Sequence, residues 1–177
     1  MDKSQTEVNN GLEKEILAMV AEDQRMYKSG KPDPEVVREH AKRMRKIIQR
    51  FGWTGKSLVG RKAADRAWLI VQHSDHDLKF QKWALRILRE AVRKGEVEKR
   101  QLAYLTDRVL VNSGQPQIFG TQFYLDLDGS FKPRPIKDTK LLDQRRKKYG
   151  LEPFAGYLKT MKQQYKSSVT KTKRRNG

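Results

Sequence analysis

Apolar positions recur every three or four residues along most of the chain. Leu12, Ile16, Met19, Val20, Met26 and Tyr27 line one face of a first predicted helix. Val37, Met44, Ile47, Ile48 and Phe51 mark a second, which opens at Asp33-Pro34-Glu35. That tripeptide places a capping carboxylate, a proline in the first turn and an acid near the positive end of the helix dipole. Gly52 ends this helix, and the glycines at 55 and 60 predict a turn-rich connection. Helical spacing resumes over 61–71 through Ala63, Ala64, Ala67, Trp68 and Val71. It breaks at His73, where Asp75 or Asp77 can cap the next helix, and the strongest repeat follows: Phe80, Trp83, Ala84, Ile87, Leu88, Ala91. Leu102, Leu105 and Val109 predict another helix over 97–111.

Beyond Gly114 the period changes. Phe123, Leu125 and Leu127 alternate with Gln122, Tyr124 and Asp126, which is strand spacing, and Asp128-Gly129 is a hairpin turn signal. Two short amphipathic helices are predicted over 138–149 and 153–165. The expected architecture is mainly α: one compact helical domain over 12–165 with a small β-hairpin near 119–132. Loose residues 1–11 and a basic, disordered tail over 166–177 flank it.

Charge sharpens this picture unevenly. The chain of 177 residues carries a net +18, and the stretch from Lys132 onward holds fifteen Lys/Arg against three Asp/Glu. Two thirds of the excess therefore sits in the last quarter of the chain. Such an end attracts polyanions through counterion release without reading sequence. There is no cysteine, which removes disulfides and thiolate zinc sites. No apolar run approaches the roughly 18 residues of a membrane span, and no secretory pattern opens the chain. A soluble, cytoplasmic protein with no membrane partner is expected; oligomeric state is not specified.

Polar residues inside apolar segments supply the candidate chemistry. His73, Asp75 and Asp77 interrupt one helical pattern, and Tyr104, Asp107 and Arg108 lie within another. Gln117, Thr121 and Gln122 precede the hairpin, and Asp23 falls on the apolar stripe of the first helix. Burying such groups costs free energy unless they satisfy one another or meet a ligand. His73 is the expected general acid/base, with Asp77 or Asp75 orienting it and Asp107 a further catalytic candidate. Arg108 and Gln122 form the expected substrate clamp, since a guanidinium fork fits carboxylate or phosphate. Tyr104, Gln117, Thr121 and Asp23 complete the binding set. Ordinary structural roles compete: caps for Asp75 and Asp77, an internal ion pair of Asp23 with Arg25 or a later arginine, turn chemistry for the residues at 117–122, and a hydrogen-bonded core position for His40. Imidazole and carboxylates at 73, 75 and 77 also invite a metal, but the helix breaks there, and no metal is assigned. The sequence names no cofactor.

Several runs resemble a known family. They are Gly52-Trp53, Ser57-Leu58-Val59-Gly60, Ala67-Trp68-Leu69-Ile70, Gln72-His73 with Asp75 and Asp77, and Phe80-Gln81. They continue with Leu102 through Val109, then Gly114, Gln117, Gly120-Thr121-Gln122, Pro133 to Ile136, and Arg145-Arg146 before Gly150-Leu151. With Asp23-Gln24 upstream, the pattern is similar to a mostly bacterial domain-of-unknown-function family, number 6624, over roughly 12–165. The resemblance implies a mainly helical domain and brings no activity with it.

Three functions compete on these residues. The first is a small enzyme doing acid/base or hydrolytic chemistry on a polar or anionic small molecule in a pocket between helices. The second is a nucleic-acid or polyanion-binding module using the basic tail and the Lys42 to Arg50 face. The third is a helical scaffold whose polar clusters only lock helices together.

Overall fold

A computed structural model describes the backbone of residues 8–175 and the side chains of residues 8–166. It is mainly helical, with one two-stranded hairpin among the described residues. The chain comprises two compact units, one ending at Leu105 and the other beginning at Thr106.

The first unit is all helical. α1 (Asn10–Ser29) starts where the Asn9 side chain accepts from the Leu12 amide at 2.9 Å. α2 (Pro34–Phe51) starts at the predicted cap, with the Asp33 carboxylate accepting from Glu35 N at 2.8 Å. α3 (Lys56–Ala64) begins earlier than expected, inside the supposed connection. It bends at Gly60, whose φ of 70° and ψ of 160° leave helical space, a conformation that L side chains rarely adopt. The predicted continuation to Val71 is instead a turn followed by the separate short α4 (Trp68–Gln72). α5 (Leu78–Arg93) follows, and α6 (Lys99–Asn112) carries the boundary between the units in its middle.

α1 packs on α3 and α4, and α2 on α4 and α5. The core of this unit is the stripe that the spacing predicted. Ile16, Met44, Ile47, Ile48, Phe80, Ala84 and Leu88 are all buried. Ala63, Ala64 and Ala67, also buried, keep this part of the chain narrow enough for neighbouring helices to approach. At about 25 cal/mol per Å² of apolar area removed from water, this stripe is the main source of stability.

The second unit contains β1 (Phe123–Leu125) and β2 (Phe131–Pro133), antiparallel with Tyr124 opposite Lys132. The strands are shorter than the predicted alternation and are joined through Asp128-Gly129. A 3₁₀ turn (Thr139–Leu141) leads into α7 (Leu142–Lys148), and α8 (Phe154–Arg175) closes the unit. α8 is much longer than the predicted 153–165. Helical backbone continues through most of the stretch expected as a disordered tail, whose sequence has no apolar period to reveal it. The last two residues of that tail, and residues 1–7 of the expected loose N-terminus, lie outside the described residues. Tyr157 packs on Phe123 and Tyr165 stacks on Phe131 at 4.9 Å, so one face of α8 is anchored to the hairpin.

No helix among the described residues is long and apolar enough to cross a membrane.

Candidate functional site

In the first unit the decisive pair joins α1 to the end of α4. Asp23 is buried, as its place on the apolar stripe of α1 requires, and its Oδ2 lies 2.7 Å from His73 Nδ1. An ionised carboxylate only accepts, so this contact selects the tautomer with the proton on Nδ1 and leaves Nε2 bare. Gln24 Nε2 donates to the same oxygen at 3.2 Å. The Tyr27 ring stacks on the imidazole with centroids 3.9 Å apart, which restrains its rotation. The side chain of His73 is 13% exposed against 2% for Asp23, so the bonded edge of the dyad is the buried one. Nε2 makes no hydrogen bond to any described residue.

The carboxylate that meets His73 is therefore Asp23, where the sequence points to Asp77 or Asp75, and those two are engaged elsewhere. Asp77 caps α5, accepting from Phe80 N at 2.8 Å, and pairs with Arg45 of α2. Asp75 accepts from Gln81 Nε2 at 3.2 Å. Gln81 is fully buried and its amide also reaches the carbonyls of Val71 and Gln72, which ties the break after α4 to α5. The expected Asp23–arginine ion pair is likewise replaced by the Asp23–His73 contact. His40 is the hydrogen-bonded core histidine predicted, with Nε2 at 3.2 Å from Glu22. Tyr104 packs its ring against Trp68.

The second unit gathers the other candidates around Asp107. Its carboxylate accepts from the backbone N–H groups of Ile118, Phe119 and Thr121 at 2.8–3.2 Å, and from the Thr121 hydroxyl at 2.9 Å. Burial pushes the Asp107 carboxyl above the usual carboxylate range, and these donors oppose that rise only in part. Gln117 spans the same loop. Its Nε2 donates to the carbonyls of Gln122 and Arg134, and its Oε1 accepts from Gln122 N. Gln122 Nε2 donates to the Thr121 hydroxyl, and Arg108 Nη1 donates to Gln122 Oε1 at 3.0 Å. Gly120 sits inside this loop with φ of 71°. A Cβ there would meet the Phe154 ring at 2.7 Å, so both the backbone angle and the space require glycine.

Arg146 was not among the candidates, yet it is almost fully buried. It donates to the carbonyls of Phe119 and Glu152 at 2.6 and 2.7 Å, with its guanidinium over the Tyr157 ring. The Arg145-Arg146 pair in the family pattern is its signal in the sequence, with nothing there to say that it is buried.

The matching family model spans residues 33–170 and is described as a family of unknown function, DUF6624. The chain belongs to the DUF6624 family. No curated protein and no solved structure matches it. Within the DUF6624 match lie His73, both acids after it, and every candidate in the second unit. Asp23 and Tyr27 lie before it, so the matched span starts later than the resemblance over 12–165 implies.

In this DUF6624 chain the candidates thus form two sets. Asp23 and His73 make direct contact, with Tyr27 as an unforeseen third member. Asp107, Thr121, Gln117, Gln122 and Arg108 form one connected network. Among the described residues no three His, Asp or Glu side chains are grouped to hold a metal ion. What the dyad can do chemically is accept or deliver a proton at Nε2. What the Asp107 network does is hold the 117–122 loop.

Proposed function

We propose that the protein is a small acid/base enzyme acting on a polar or anionic small molecule, with His73 as the proton-transfer group. The observation that carries this reading is the Asp23–His73 contact: a buried carboxylate on Nδ1 and an unbonded Nε2 on a ring held by Tyr27. In such a dyad the carboxylate stabilises the imidazolium that forms when Nε2 takes a proton, and it keeps the ring aimed. Hydrolysis would use Nε2 to activate water; an isomerisation would use it on a carbon acid. The unbonded Nε2 is not a buried atom, so a substrate can reach it, unlike the buried Nδ1 of the core residue His40.

The test is a turnover screen over carboxylic esters, phosphomonoesters, amides and carbon acids, run on wild type and His73→Ala. The expected result is at least one activity that falls by about 10²-fold or more in His73→Ala while circular dichroism is unchanged. Any activity found that survives in His73→Ala, or a variant that unfolds, contradicts the assignment. Asp23→Ala should lower the same kcat with little change in KM, because Asp23 acts through His73.

A second reading, polyanion binding, is favoured by α8. Its sequence holds seven Lys/Arg and no acid, and its aromatic face is taken up by the hairpin. With Tyr157 and Tyr165 so engaged, α8 exposes Lys159, Lys162 and Lys166 among its described side chains. That composition suits the phosphate backbone of a nucleic acid.

A further inference from the structure

A groove of about 800 Å³ runs between α1 and α3, and its lining includes Gln24, whose side-chain amide donates to Asp23 of the dyad at 3.2 Å. Asp23 is two residues from both Ala21 and Arg25, and at about 100° per residue it points to the opposite side of α1. Arg25 and Lys28 of α1 form one rim, and Lys62 and Arg66, on and just past α3, form the other. Leu17, the buried Val20 and Ala21 give the groove its apolar lining. Arg25 has a 3.8 Å contact with Glu22, from a side chain that is 76% exposed. Lys28, Lys62 and Arg66 have no ion pair with any described residue.

Four cations, from α1, α3 and the turn after α3, therefore line one concavity with a single distant carboxylate among them. Packing of α1 on α3 holds them there against their mutual repulsion. An anion placed between the rims relieves that repulsion, and two guanidiniums offer planar forks that match phosphate oxygens. The floor is apolar, so a bare inorganic anion would leave it wet, whereas an anion with a small apolar body would cover it.

We propose that this groove binds a phosphate monoester carrying a compact apolar group. It is a second site whose cations are distinct from the proton-transfer dyad, with Gln24 bordering both, and it does not depend on that reading. The cations supply charge recognition, and Leu17 and Ala21 supply preference for the body over free phosphate.

The experiment is a titration of the full chain with phenyl phosphate, followed by backbone amide shifts in two-dimensional NMR at low salt. Inorganic phosphate, phenol and a short DNA duplex are titrated separately. Saturable shifts at Leu17, Ala18, Ala21 and Lys62, with phenyl phosphate binding about tenfold tighter than phosphate or phenol, are expected. Charge reversal by Lys62→Glu with Arg66→Glu should weaken binding by about tenfold or more. Both side chains are exposed, so the fold should be kept, and circular dichroism checks it. His73→Ala should bind phenyl phosphate like wild type, whatever the turnover screen returns. The proposal is overturned if phosphate or phenol binds as well as phenyl phosphate, or if the shifts fall outside the groove. It is also overturned if the double charge reversal binds normally, if the duplex alone perturbs the groove, or if His73→Ala changes the affinity.

Discussion

Removing the Asp107 side chain would strand three backbone N–H groups and the Thr121 hydroxyl in a buried loop. Each unsatisfied donor costs about 1–3 kcal/mol, so Asp107→Ala should lose about 3–5 kcal/mol by urea denaturation. A loss near zero would mean that the loop is held by other groups. The same carboxyl has a pH signature. Its proton affinity is raised by burial, so above the ordinary carboxylate value the folded state keeps a proton that the unfolded chain has released. Its contribution to stability is greatest below that ordinary value and declines as pH rises through the raised one. The stability difference between wild type and Asp107→Ala should therefore shrink from about pH 4 upward. A difference that grows over that window would contradict desolvation as the dominant cause. Asp23 and His73 show what could be read at this scale from residue types alone. Costly groups on apolar stripes marked both positions, because burial constrains composition locally. Their pairing could not be read, because the two lie 50 residues apart and only the packing of α1 on α4 joins them.

At the scale of elements, the start of α5 combines a cap with an ion pair, and the two can be separated. Asp77→Asn keeps an oxygen for Phe80 N but removes the charge facing Arg45; Asp77→Ala removes both. Both charged side chains are about one third exposed, where ion pairs contribute little. Asp77→Ala should thus cost about 1–2 kcal/mol in chemical denaturation, with most of it retained by Asp77→Asn. Equal losses in the two variants would make the ion pair, not the cap, the dominant interaction. Caps and amphipathic stripes were readable in advance because both are local: Asp33 and Asp77 sit beside the helices they start. The bend at Gly60 and the length of α8 were not. A glycine between helical stretches reads equally as loop or kink, and the lysine-rich end of α8 has no apolar period to count.

For the whole molecule, helical class and the hairpin followed from period, whereas the division at Leu105 and Thr106 did not. α6 runs through that boundary with unbroken helical spacing and no Gly or Pro to mark it. The charge asymmetry of the chain makes its own prediction. If α8 holds a nucleic-acid backbone, affinity for an arbitrary duplex should fall steeply with salt, with a log–log slope of about −3 or steeper. Lys159→Glu with Lys162→Glu should flatten that slope by about two. Binding that ignores salt, or a slope untouched by the two reversals, would remove the polyanion reading. The proton-transfer reading rests on how one imidazole is held, and nitrogen-detected NMR of the His73 ring reports that directly. The account predicts a proton on Nδ1 and a bare Nε2 in the neutral ring, with this preference lost in Asp23→Ala. A neutral ring protonated on Nε2, or one indifferent to Asp23→Ala, would contradict it.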